Sequence, residues 1–120
     1  MVEDIRRVAV IGAGVMGASI AAHVANAGLP VVLLDIVAKD GDDRSAIARG
    51  AIERMLKTEP APFMSKAAAR LVTPGNIDDD LGLIADCDLI VEAVVERLDV
   101  KQALYERIDA LRKPTSIVSS

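Results

Sequence analysis

The chain has 120 residues, enough for one domain and not two. With 52% hydrophobic and 27% charged residues it can bury a core, which excludes an intrinsically disordered chain. A net charge of -4, with Phe63 and Tyr105 as the only aromatics, argues against nucleic-acid binding. The single Cys87 and single His23 exclude a disulfide scaffold and a thiolate metal cluster, and no metal site is expected.

Val8 to Leu34 holds no formally charged side chain. A membrane span is not expected there, because Gly12, Gly14, Gly17, Gly28 and Pro30 interrupt it, and Gly28-Leu29-Pro30 reads as a turn. The leader from Met1 to Arg7 has balanced charge, unlike a secretory signal. The stretch divides into strand, turn, helix, turn and strand. Arg7 to Ile11 is β-branched and unbroken by polar residues, as expected of a strand buried on both faces. Gly12 to Gly17 is a glycine-rich turn, and Val15 to Ala27 a helix closed by Gly28. Val31 to Leu34 is a second buried strand ending at Asp35, so the unit is a parallel βαβ crossover.

Lys39 to Asp43 is a polar loop, with Asp42 or Asp43 as helix N-cap. A helix from about Arg44 to Lys57 follows, apolar along Ile47, Ala48, Ala51, Ile52, Met55 and Leu56 and basic at Arg44, Arg49, Arg54 and Lys57. Thr58 to Pro62 breaks it. Met64 to Arg70 is a short helix, Leu71 to Thr73 a short strand, and Pro74-Gly75-Asn76 a turn before the acidic Asp78 to Asp80. Leu89 to Val95 is a fourth buried strand, with Cys87 a buried thiol just before it. Asp99 and Gln102 have capping-box spacing for a helix that stops at Pro114, and Ser116 to Ser119 is a fifth strand.

The chemistry concentrates in Gly12-x-Gly14-x-x-Gly17, which follows a strand and opens a helix. Gly12 permits the tight turn, Gly14 lets backbone approach a pyrophosphate, and Gly17 lets helix and strand pack closely. The amides of the first helical turn, around Val15 and Met16, point at the phosphates with the helix dipole behind them. Asp35 ends the second strand about 20 residues on, where an acid accepts hydrogen bonds from the adenosine ribose. A carboxylate there repels a 2′-phosphate, and Ile36, not an arginine, follows it, so NAD is favoured over NADP.

The segment VAVIGAGVMGASIAAHVANAGLPVVLLDI resembles the start of 3-hydroxyacyl-CoA dehydrogenases, NAD-dependent enzymes of fatty-acid β-oxidation. DCDLIVEAVVERLDVKQALYERID and SIVSS support the likeness, and KTEPAPFMSKAAARLVTPGNIDDDL is similar to the subgroup fused to an enoyl-CoA hydratase-like region. The resemblance implies a Rossmann-type, doubly wound parallel sheet of strand order 3-2-1-4-5, with residues 1–120 forming a truncated NAD-binding domain. It implies cofactor contacts at Gly12 to Gly17, Asp35 and Ile36, at Ala93 and Val94 in the loop after the fourth strand, and at Glu96 and Lys101. By the same likeness the catalytic histidine, its glutamate and the substrate-positioning serine lie outside these residues. His23 does not match that histidine, so no catalytic residue is assigned and the chain alone is expected to be inactive. The implied partners are an acyl-CoA in the full-length protein and a homo-oligomer, in the cytoplasm. Two other readings remain at this point. One is a different Rossmann dehydrogenase of the 3-hydroxyisobutyrate or 6-phosphogluconate type; the other is a nucleotide-sensing module without catalysis.

Overall fold

A computed structural model describes residues 5–36, 43–57, 66–93, 98–114 and 116–119. Five strands form one parallel sheet: β1 (Val8–Ile11), β2 (Val31–Asp35), β3 (Val72–Asn76), β4 (Leu89–Glu92) and β5 (Ile117–Ser119). Their spatial order is β3-β2-β1-β4-β5, the expected doubly wound arrangement. The central strands carry continuous apolar runs because both faces are covered.

Alternation along β1 divides the core. Val8 and Val10 face one layer with Val31 and Leu33, under α1 (Val15–Asn26) and α2 (Ala46–Lys57). Ala9 and Ile11 face the other with Leu34 and Ile90. That layer is covered by α5 (Leu98–Leu111), through Leu104 and Ile108, and by a 3₁₀ turn over Leu81–Asp86. Alanines at 18, 21, 22 and 25 let α1 lie close on the sheet. Two four-residue helices, α3 (Lys66–Ala69) and α4 (Ile77–Asp80), flank β3. The order of β1 and its neighbours reverses direction between β2 and β4, so the carboxyl ends of β1 and β4 form the crevice where this fold takes ligands.

Several expected boundaries shift. Pro74-Gly75-Asn76 is not a turn but the second half of β3, in register with Leu33, Leu34 and Asp35. Proline is tolerated because β3 is an edge strand, where a missing N–H need not cost a ladder bond. Gly75 is needed there, since a Cβ would lie 2.7 Å from both Asp80 Oδ2 and Leu34 Cδ2. The acidic stretch is α4, capped by Asn76, whose side chain accepts from Asp79 N–H at 2.7 Å. Strand β4 stops at Glu92, short of Val95. Because α5 begins at Leu98, Asp99 lies inside the helix and not at its N-cap. Helix α2 begins at Ala46, with Asp43 Oδ1 accepting from Ser45 N–H at 3.0 Å; Asp42 is outside the described residues. Gly28 takes φ 90°, one residue beyond the α1 C-cap at Ala27.

Candidate functional site

The turn from β1 into α1 is built by glycines at three different tolerances. Gly12 has φ 111°, a left-handed conformation that L side chains rarely adopt. Its N–H donates to Leu34 O at 2.7 Å, carrying the β1–β2 pairing one residue past the strand. A Cβ on Gly17 would lie 1.7 Å from Gly12 O, so helix and turn can touch only through glycine. A Cβ on Gly14 would meet nothing within 4 Å. Gly14 therefore borders open space, which is the cradle that a pyrophosphate approaching the backbone requires.

Helix α1 presents its start to that space without a competing group. Its N-cap is Gly14, no side chain caps it, and its first turn carries no acid. The first-turn amides of such a helix are a ready anion site. Ala13 is buried at 2% exposure while Met16 stands 69% exposed. Val15 opens the helix, and its side chain is outside the described set.

Asp35 reaches back to the same turn. Its Oδ2 accepts from Ala13 N–H at 2.6 Å and its Oδ1 from Ile36 N–H at 2.6 Å. Sequence reasoning placed this carboxylate at the ribose; the structure adds that it braces the glycine turn, leaving lone pairs on each oxygen for further donors. Ile36 beside it is exposed.

On the other side of β1, Ala93 N–H donates to Ile11 O at 2.8 Å, and the Ala93 methyl faces Gly17. Glu92, one residue earlier, is 2% exposed and accepts from the Tyr105 hydroxyl at 3.1 Å. This buried carboxylate at the end of β4 ties the strand to α5, a role that sequence spacing did not reveal. Val94 and Glu96 fall outside the described residues, and Lys101 lies on α5 with its side chain likewise outside them. The structure thus brings Gly12, Ala13, Gly14, Gly17, Asp35, Ile36 and Ala93 to one end of the sheet. His23 is exposed on α1, five residues beyond Ala18. Cys87 is fully buried, and burial pushes its thiol up to about 11, so it is an inert thiol.

A Rossmann-type sheet with a glycine turn, an uncapped helix start and an acid at the end of β2 defines a dinucleotide-binding domain. Comparison with known proteins narrows this. Residues 7–120 match the family described as 3-hydroxyacyl-CoA dehydrogenase, NAD binding domain, and the chain belongs to that family. A Deinococcus radiodurans protein named "Probable 3-hydroxyacyl-CoA dehydrogenase" is 52% identical over 97% of the chain and 34% of its own length. A Bacillus subtilis protein of the same name is 43% identical over 100% of the chain and 17% of its own length. The crystal structure of 3-hydroxybutyryl-CoA dehydrogenase from Escherichia coli K12 superposes with a TM-score of 0.74 at 27% identity, over 97% of this chain and 24% of that one. The chain therefore spans about two fifths or less of the length of the curated relatives it matches. The cofactor of the family domain is NAD. Among the described residues no helix is long and apolar enough to cross a membrane.

Proposed function

We propose that this chain is the cofactor-binding part of an enzyme that oxidises (S)-3-hydroxyacyl-CoA to 3-oxoacyl-CoA in fatty-acid β-oxidation. The observation that carries this reading is the glycine turn braced by Asp35 within a chain matched to the family over residues 7–120. In it, Gly12 to Gly17 hold the pyrophosphate, Asp35 and Ile36 border the adenosine ribose, Ala93, Val94 and Glu96 line the ribose and nicotinamide, and Lys101 contacts the cofactor. Bound NAD supplies the hydride acceptor; the protein supplies position and electrostatics. No catalytic base is assigned among these residues, because an exposed His23 within α1 lacks the geometry a general base needs.

The acyl-CoA, the homo-oligomer and a cytoplasmic setting belong to the same proposal. Exposed Leu111 and Ile117, at 41% and 51%, support further packing against β5 and α5. The length of the Bacillus subtilis relative beyond the matched 17% leaves room for a hydratase-like region. On α2 and in the turn before it the basic residues are partly engaged: Arg44 pairs with Asp79 and Arg49 with Asp43, which favours a solvated face over contact with CoA phosphates.

The test is oxidation of NADH with acetoacetyl-CoA by the whole protein, joined to calorimetric titration with NADH. Asp35→Ala is expected to weaken NADH binding by about 1–3 kcal/mol, the scale for losing an acceptor of charge-assisted hydrogen bonds. No turnover in the whole protein would sink the dehydrogenase reading. Undiminished NADH affinity in the variant would sink the ribose assignment.

A further inference from the structure

A second polar cluster stands beside Asp35, on β3. In the parallel register Asp35 is opposite Asn76, as Val31 is opposite Val72. Val31 and Val72 are both buried in the layer under α1 and α2. Residues two and four apart along a strand share a face, so Asp35 and Asn76 lie on that same face, on adjacent strands. Neighbouring strands of a sheet lie about 4.8 Å apart.

Asn76 is 1% exposed, and its amide is fully engaged. Its Nδ2 donates to Ser45 Oγ at 3.1 Å and to Asp79 Oδ2 at 3.0 Å, while its Oδ1 accepts from Asp79 N–H. Asp79 in turn takes the Arg44 guanidinium with both oxygens, Nε at 2.6 Å and Nη2 at 3.1 Å. Bidentate geometry of this kind fixes the direction of the guanidinium as well as its distance. The Arg44 guanidinium, and then the Asn76 amide, hold the Asp79 carboxyl below the usual carboxylate range. Arg44 is the first described basic residue after Asp35. The Asn76 bridge places it on the sheet face that carries Asp35, on the β3 side of β2, while the Asp35 carboxylate itself leans to Ala13 on the β1 side.

An arginine near the ribose acid is what accommodates a 2′-phosphate in domains of this fold. We propose that Asp79, oriented by Asn76, is a second determinant of NAD over NADP: it holds the Arg44 guanidinium in an ion pair and so keeps it from a 2′-phosphate. The inference rests on the ribose assignment of Asp35 and extends it to a residue on another strand end. The ion pair is partly solvated, with side-chain exposures of 56% for Arg44 and 47% for Asp79, so its hold is modest.

Calorimetric titration of the full chain with NAD and with NADP tests it. Asp79→Asn is expected to tighten NADP binding by about 2- to 5-fold, the range that a partly exposed ion pair can release. NAD should stay within about two-fold, because its ribose carries no phosphate for Arg44 to meet. The double variant Arg44→Ala/Asp79→Asn should return NADP affinity to the wild-type value. Asparagine at 79 retains an acceptor for the Asn76 amide, and thermal melting of both variants confirms the fold. A ratio of NADP to NAD affinity unchanged by Asp79→Asn, or a gain that survives the loss of Arg44, overturns the proposal. A wild-type chain that binds NADP as tightly as NAD overturns instead the ribose assignment beneath it.

Discussion

The two ends of the sheet treat polar groups in opposite ways. At the amino end they satisfy one another. Asp88, at the entry to β4, accepts from the backbone N–H groups of Arg6 and Arg7 and pairs with Lys113 beyond α5. Its own backbone joins β1 and β5, through Arg7 O and Ile117 N–H. Arg7 in turn meets Asp86 at 3.7 Å. At the carboxyl end, α1 begins with no side-chain cap and Gly14 faces open space. The difference teaches where a ligand is expected. A helix start leaves orphan donors that need a partner, and among the described residues no side chain caps this one. The amino end is built for holding strands together, the carboxyl end for holding an anion.

The sharpest way to break the comparison lies at Gly17. Gly17→Ala places a methyl 1.7 Å from Gly12 O, which is backbone and cannot swing aside. Helix and turn must separate, at a cost of about 3 kcal/mol or more. A fall in Tm of about 10 °C or more is expected by thermal denaturation, together with loss of NAD binding. Gly14→Ala is the discriminating counterpart. Its methyl meets no atom of the described residues within 4 Å, so the melting curve should stay near wild type. The same methyl occupies the space that a pyrophosphate needs, and NAD affinity should fall about tenfold or more, about 1.4 kcal/mol or more. Gly14→Ala that folds and binds NAD normally would show that this turn is a packing device alone.

The contrast between ends also explains how much the sequence discloses. β1, the glycine turn, α1 and β2 were legible because uncharged apolar runs flank a motif whose glycines have separate steric duties. Asp35 was legible from its distance past the turn. The identity of β3 was not, because Pro74 and Gly75 signal a turn locally, while their place on an edge strand and against Leu34 is set by distant chain. Asn76 carries an N-cap signal, with Asp79 three residues on, yet its pairing with Asp35 depends on that same strand register. Glu92 reads only as an acid near the end of the fourth strand. Its burial and its bond to Tyr105 follow from the way α5 packs on β4. The capping-box spacing at Asp99 misplaced the helix start, since spacing alone does not say which residue precedes the first helical turn.

The smallest expected effect sharpens the comparison from the amino end, through pH. The Lys113 ammonium, with the amides of Arg6 and Arg7, brings the Asp88 carboxyl down to about 2 from the ordinary 3.8. The native state thus binds the proton less readily than the unfolded chain does. Stability from this group is fully present above about pH 4, and it is lost as pH falls through the interval down to about 2. Asp88→Asn keeps an acceptor for the backbone amides but gives up the charge facing Lys113. Thermal melts across pH should therefore separate wild type from Asp88→Asn at neutral pH and converge near pH 2, with wild type the more stable wherever they differ. NAD affinity at neutral pH should be unchanged, because Asp88 lies at the opposite end of β4 from Ala93 and the glycine turn. Melting curves that run parallel from pH 7 to pH 2 would remove Asp88 as the charge that staples this end. A variant with normal melting but weakened NAD would mean that the two ends are not separate in function.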